Sequence, residues 1–367
     1  MTHRARRRWP WLAAAGAGAI IAVASLATRD PAPPPAEARA RAAAERFFDA
    51  YLSPEGRVIR RDQGGDTVSE GQAYAMLLAA GAGDRERFES AWRWTRANLQ
   101  RRDGLLSFLW RDGRVQDPQP AADADLDAAR ALLLAAERFQ DDGYRGEGLR
   151  IARGILRSET VVVSGRPLVV AGPWARSEPY AVNPSYFSPR AFAELGRASG
   201  DRRFGATSDA SYRLVAALTA APPALAPDWA RVEASGKAEP AASIGQPGRP
   251  PLYGFNAFRV QVRMAEDCAP AGRRLAARAW EFFRTRSSEE LVAEYELSGE
   301  PEGDDRHATM LVAAAAAALA AGDRRAGHDL LDRAEALERD ASTYYGAAWV
   351  AVGRMMLTTD MLGSCPR

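Results

Sequence analysis

The chain has 367 residues, 47% of them hydrophobic and 26% charged, enough to bury a large core in one big domain or two. Its 49 basic residues stand against 47 acidic ones, a near-neutral balance that argues against nucleic acid or an anionic membrane surface and favours a neutral ligand. Cys268, Cys365, His3, His307 and His328 show no metal-ligand spacing, so neither a metal nor a cofactor is expected.

Taken in chain order, the N-terminus reads as an address. Arg4, Arg6, Arg7 and Arg8 form a basic region, Trp9 to Leu26 is mostly apolar, and Ser25-Leu26-Ala27 resembles a small-x-small cleavage site. This pattern predicts a signal peptide over 1–27, with an uncleaved anchor as the alternative, and a periplasmic or secreted protein. Pro33-Pro34-Pro35 falls in a predicted extended linker over 28–36, and the rest, 37–367, is one domain.

From there the apolar period is helical. Twelve runs are predicted, over approximately 37–52, 69–82, 84–99, 122–139, 142–157, 188–199, 202–220, 254–267, 270–286, 305–321, 323–337 and 345–357. Short hinges at Gly83-Asp84, Gly200-Asp201 and Gly322-Asp323 alternate with longer links, and short hinges force antiparallel helical hairpins. Six hairpins in a ring make an all-α (α/α)6 barrel with its functional loops gathered at one end. Val161-Val162-Val163 and Leu168-Val169-Val170, flanking Ser164 to Pro167, predict a small β-hairpin decorating a loop.

Two acidic motifs open helical runs: Thr67-Val68-Ser69-Glu70-Gly71-Gln72 and Asp123-Ala124-Asp125-Leu126-Asp127. Each has a structural alternative. Thr67 and Glu70 fit a capping box, and acids in a first helical turn suit the positive end of the helix dipole. Three aspartates in five residues exceed what a cap needs, and a site results if Asp125 is fixed by hydrogen bonds while Asp123 projects inward to a sugar ring. Paired carboxyls at one end of a barrel, one protonated and one ionised, are suited to cleaving glycosidic bonds.

These segments resemble glycoside hydrolase family 8, the family of bacterial endoglucanases, cellulose-synthase-associated cellulases, chitosanases and some xylanases. Ser69-Glu70-Gly71-Gln72, with Tyr74 following, matches the family segment whose glutamate is the general acid. Ala121-Ala122-Asp123-Ala124-Asp125 matches a signature whose first aspartate stabilises the transition state, with Ala122 replacing the usual hydroxyl residue. Phe88 to Trp94, Asn183 to Tyr186, Asp228-Trp229 and Tyr344-Tyr345 are further family-like segments. The resemblance implies inverting, endo-acting hydrolysis of a β-1,4-linked polysaccharide by a monomer, in the context of cellulose synthesis.

One departure touches the chemistry. The cellulase branch carries Tyr-Asp-Ala-x-Arg, whose aspartate activates water, whereas this chain reads Phe255-Asn256-Ala257-Phe258-Arg259. An amide positions a water but takes no proton near neutral pH. The base is then Asp228, Glu233 or Glu239 from another loop, as in the chitosanase branch, or Asp123 or Asp125; failing these, the chain binds polysaccharide without cutting it. Subsite platforms are sought in Trp110, Trp174, Tyr186 and Tyr253, with Tyr74, Asp125 and Arg259 as further substrate-binding residues. Trp92 and Trp94, inside a predicted helix, read as core.

Overall fold

Amphipathic helices joined by short hinges bury their apolar stripes against one another. The computed structural model, which describes residues 35–242 and 248–365, arranges them in two concentric rings. The helices are α1 (Ala36–Tyr51), α2 (Ser69–Ala82), α3 (Arg85–Asn98), α4 (Ala122–Phe139), α5 (Asp142–Ser158), α6 (Pro189–Ser199) and α7 (Arg203–Leu218). They continue as α8 (Phe258–Ala265), α9 (Pro270–Ala277), α10 (Trp280–Arg284), α11 (Ala308–Ala320), α12 (Arg324–Asp340) and α13 (Tyr344–Thr358). Helices α2, α4, α6, α8, α11 and α13 each pack on the next, and α13 returns to α2, closing the inner ring. Helices α3, α5, α7, α9, α12 and α1 pack outside α2, α4, α6, α8, α11 and α13 respectively, which is the expected (α/α)6 barrel.

Burial follows the rings. In α2 every residue from Gly71 to Gly81 is buried, as is every residue from Ala308 to Ala318 in α11, so these alanine-rich helices are apolar on all sides. Outer α3 buries one stripe, Phe88, Ala91, Trp92 and Thr95, at helical spacing. The hinges behave as predicted. Gly83 and Gly200 end their helices in the left-handed conformation at φ 74° and 72°, where a Cβ is penalised. Asp84 then caps α3 by accepting the Arg87 N–H at 3.0 Å.

The predicted hairpin pairs Thr160–Val163 with Arg166–Val169. Three further small sheets appear: Thr67–Val68 with Leu109–Arg111 and Arg114–Asp117, Tyr180–Val182 with Trp229–Val232 and Ala238–Ala241, and Leu252–Tyr253 with Tyr295–Glu296. The predicted run 270–286 is split into α9 and α10. Cys268 and Cys365 are joined in a disulfide. The predicted signal segment, and the linker as far as residue 34, lie outside the described residues; Ala36, placed in that linker, is the first residue of α1.

Candidate active site

The six inner helices begin at one end of the barrel, and each start carries a side chain of the site. Helix α2 brings Glu70, α4 Asp123, the single turn before α6 Tyr186, α8 Arg259 with Asn256 just ahead of it, α11 His307, and α13 Tyr344 and Tyr345. The positive ends of six helix dipoles therefore converge there and favour negative charge. A cavity of about 450 Å³ opens at this end, lined among others by Glu70, Asn256, Arg259, His307, Tyr344 and Tyr345.

Glu70 does not close a capping box. Thr67 Oγ1 instead donates to the Val58 carbonyl at 2.6 Å and accepts from Arg57 Nε at 2.8 Å. Among the described residues the carboxyl of Glu70 accepts a side-chain hydrogen bond from Ser69 Oγ, at 3.4 Å. Burial, and then the negative charge of Asp123, raise its pKa to about 7, with Arg259 and Arg60 opposing. A carboxyl of that kind holds a proton at neutral pH and can donate it.

Asp123 is only 3% exposed. Its Oδ1 accepts the Ala124 N–H at 2.9 Å and its Oδ2 accepts Arg259 Nη1 at 2.5 Å. Arg259 is buried: Nη2 donates to Asn256 Oδ1 at 2.9 Å, and the guanidinium lies 5.3 Å from the Tyr186 ring centre. One cation thus joins the starts of α4, α6 and α8.

Asn256 is held in a single orientation. Its Oδ1 accepts from Arg259 and from Asn183 Nδ2 at 3.0 Å, while Asn183 Oδ1 is engaged by Ser185. With two donors fixing its oxygen, the Asn256 amino group is turned away from them, and the side chain lines the cavity. It presents a donor where a base would be needed.

The three loop carboxylates proposed as substitute bases, Asp228, Glu233 and Glu239, lie outside the cavity lining. Asp228 is buried behind the Asn256 loop, and its Oδ1 accepts the N–H groups of Gly254, Asn256 and Ala257 at 3.2, 2.9 and 2.6 Å. Burial pushes this carboxyl up to about 6 despite those bonds. It shapes the loop. Glu239 is exposed and paired with Lys237, and Glu233 accepts from Ser235 in the same exposed turn. Neither lines the cavity.

Three predicted sugar contacts need correction because they are buried. Asp125 is fully buried and accepts the Leu106 N–H at 2.8 Å, so it fixes structure instead of meeting a sugar. Tyr253 is buried and bonded to Gln261 at 2.8 Å. Tyr74 is buried beneath the site, in a T-shaped contact with Trp349. Trp92 is core, as read, while Trp94 is half-buried with its edge against Trp110. Trp110 is also half-buried, with one face covered by Arg57 at 4.3 Å.

Trp174 is 44% exposed and lines a second cavity of about 500 Å³ with Trp229. Ring centres run from Trp174 to Trp229 at 6.3 Å and from Trp229 to Tyr186 at 6.2 Å. An aromatic row therefore leads from outside to the Arg259 centre. Sequence reasoning missed Asp62, Phe255, His307 and Thr343, which also line the first cavity. His307 accepts the Thr309 N–H on Nδ1 and meets Thr343 Oγ1 with Nε2. Burial lowers its pKa to about 4, so it is neutral at neutral pH.

The family model for glycosyl hydrolases family 8 matches residues 19–358. A probable endoglucanase of Novacetimonas hansenii is 36% identical over 220 residues, covering 58% of this chain and 63% of that protein. An endoglucanase of Cellulomonas uda is 32% identical over 230 residues, covering 60% and 62%. Among solved structures, an endo-β-1,4-glucanase from Acetobacter xylinum superposes with a TM-score of 0.75 at 28% identity, over 89% of this chain and all of that one. A β-1,3-1,4-glucanase from Paenibacillus shares the fold, with a TM-score of 0.78 at 20% identity over 88% and 92%. The match to the two sequence relatives spans a little under two thirds of their length.

Proposed function

The chain belongs to glycoside hydrolase family 8, and from that premise we propose that it is an inverting, endo-acting β-1,4-glucan hydrolase in which Glu70 is the general acid. The observation that carries this reading is a carboxyl of pKa about 7 on an open cavity, beside the Asp123–Arg259 ion pair. Glu70 protonates the glycosidic oxygen, and the C–O bond breaks to release an alcohol. Asp123 stabilises positive charge developing on the ring, and water attacks the opposite face. The Asn256 amide takes no proton, so the attacking water's proton passes to solvent in the open cavity, and Glu70 takes one back from solvent before the next turnover. Trp174, Trp229 and Tyr186 offer faces to neighbouring sugars.

The endoglucanase relatives support glucan over chitosan, and the cavity's charges support it too: Arg60 and Arg259 line it against Asp62 and a Glu70 that is protonated in its working form, leaving no surplus of acids for glucosamine ammonium groups. Export to the periplasm or beyond is supported by the basic and apolar N-terminus and by the disulfide, which persists in oxidising compartments. A single chain working near cellulose synthesis rests on the family resemblance.

The test is reducing-end release from soluble cellulose. Wild type is expected to turn over, and Glu70→Gln to lose about 10²- to 10⁴-fold in kcat. Because the working form of Glu70 is protonated, kcat/KM should be full below about pH 7 and fall tenfold per unit above it. Equal rates for wild type and Glu70→Gln would refute the assignment.

A further inference from the structure

Beneath α4 lies a carboxyl pair that the chemistry above does not use. Asp125 and Glu159 are both fully buried. Asp125 Oδ1 takes the Leu106 N–H, but Asp125 Oδ2 and both Glu159 oxygens are shut from solvent, with no donor supplied by any other group among the described residues. The two side chains interact directly with each other. Two ionised carboxylates in that position would repel at short range in a medium that screens poorly, with three oxygens desolvated and unbonded. A single proton between them removes the repulsion and supplies the missing hydrogen bond.

Other charges in reach do not replace that proton. Asp103 and Asp123 add negative charge, and Arg101 is engaged by Asp103 at 3.0 Å. The pair ties three segments to the start of α4. Asp125 holds the segment at Leu106. Glu159 ends α5, and its carbonyl accepts the Val170 N–H at 2.9 Å, next to Ala171, whose carbonyl accepts the Ala122 N–H at 3.2 Å. Asp123 is the second residue of that same helix.

We infer that Glu159 is a positioning residue for Asp123: it shares one proton with Asp125, and this closed pair fixes the first turn of α4 from beneath the cavity. The inference rests on the proposed role of Asp123 for its effect on turnover, but the shared proton is observable without any substrate. Burial holds both carboxyls well above the usual range; Asp125 pushes Glu159 further up, and the charges of Asp103 and Asp123 act on both in the same direction. Raised folded pKa values mean that the pair's contribution to stability is full in acid and is lost as pH rises through the folded values.

Infrared spectra of the wild type near pH 7 should contain the C=O stretch of a buried protonated carboxyl, which Glu159→Gln alters or removes. In thermal unfolding, the stability lost by wild type as pH rises should be lost much less by Glu159→Gln, whose amide supplies the hydrogen bond permanently. Glu159→Gln should keep kcat within about threefold, whereas Glu159→Ala should lose about tenfold or more in kcat with little change in KM, since only the alignment of Asp123 is relaxed. Wild type and Glu159→Gln spectra without any difference in the protonated-carboxyl band overturn the shared proton, even if Glu159→Ala fails to fold. Wild-type kcat in a folded Glu159→Ala overturns the positioning role. Inactivity of the wild type with the band present would instead count against the hydrolase reading alone.

Discussion

At the scale of single residues, Asn256 limits what the cavity can do to a water molecule. Its oxygen is fixed by Asn183 and Arg259, so replacing the amino group by an oxygen changes the chemistry and leaves the frame in place. In Asn256→Asp one carboxylate oxygen keeps both donors, and the other takes the position of the amino group. A general base typically contributes 10²- to 10⁴-fold, and kcat on soluble cellulose should rise by about 10²-fold. A kcat at or below wild type would mean that a proton acceptor already serves the water. Glu70 and Asp123 are legible in the sequence because each sits in a short acidic motif at a helix start. Asp62, Phe255, His307 and Thr343 are not, because each is an ordinary residue in a loop or cap, and only closure of the barrel brings loops 60–63, 255–256 and the starts of α11 and α13 to one cavity. Tyr253 and Tyr74 mislead for the converse reason: aromatic identity says nothing about which face of an element is covered.

Among the elements, inner helices were legible from their alanine-rich period and their hinges, and most boundaries agree to within a few residues. The break between α9 and α10 is silent, since Arg278 and Ala279 keep right-handed helical angles and no glycine or proline marks it. The late start of α8 has a cause in the tertiary structure: Asp228 gathers the N–H groups of Gly254, Asn256 and Ala257 into a turn that helical period alone does not reveal. The small sheets hide because their strands are two to four residues long and several are polar. How closely inner helices pack is testable at Gly71, where a Cβ would meet Tyr344 Oη at 2.7 Å and Val58 Cγ1 at 3.2 Å. Gly71→Ala should push Tyr344 in the cavity wall, costing about 1–3 kcal/mol as overpacking does and lowering kcat. Gly146→Ala, on exposed α5 with nothing within 4 Å, should instead stabilise by about 0.4–1 kcal/mol. Denaturant unfolding of the two variants should shift in opposite directions; the same shift in both would contradict the close approach of α2 and α13.

For the whole molecule, the candidate site and the closure are placed toward opposite ends of the barrel. Where the N-termini meet, there is the cavity; toward the other ends, Arg130 is clamped by Glu194 at 2.8 Å and Glu266 at 2.6 Å. Around it the C-terminal segment is held by its backbone: Arg138 donates to the Met361 carbonyl at 3.0 Å, Arg130 to that of Leu362 at 3.3 Å and Arg190 to that of Ser364 at 2.9 Å. The Cys268–Cys365 bridge then fastens this segment just beyond α8, across a sequence separation of 97 residues. A loop of that length removes much freedom from the unfolded chain, worth about 4–5 kcal/mol in the chain-entropy account. For a folded domain of roughly 330 residues, that corresponds to a fall in Tm of about 6 °C when Cys268 and Cys365 are both changed to alanine, or when the bridge is reduced. Neither Cys268 nor Cys365 lines the cavity, so kcat measured well below the new Tm should stay within about twofold of wild type. A double variant with unchanged Tm would show that the arginine clamps alone secure the C-terminal segment, and one that stays folded yet loses most of its kcat would show that the two ends are coupled through the ring.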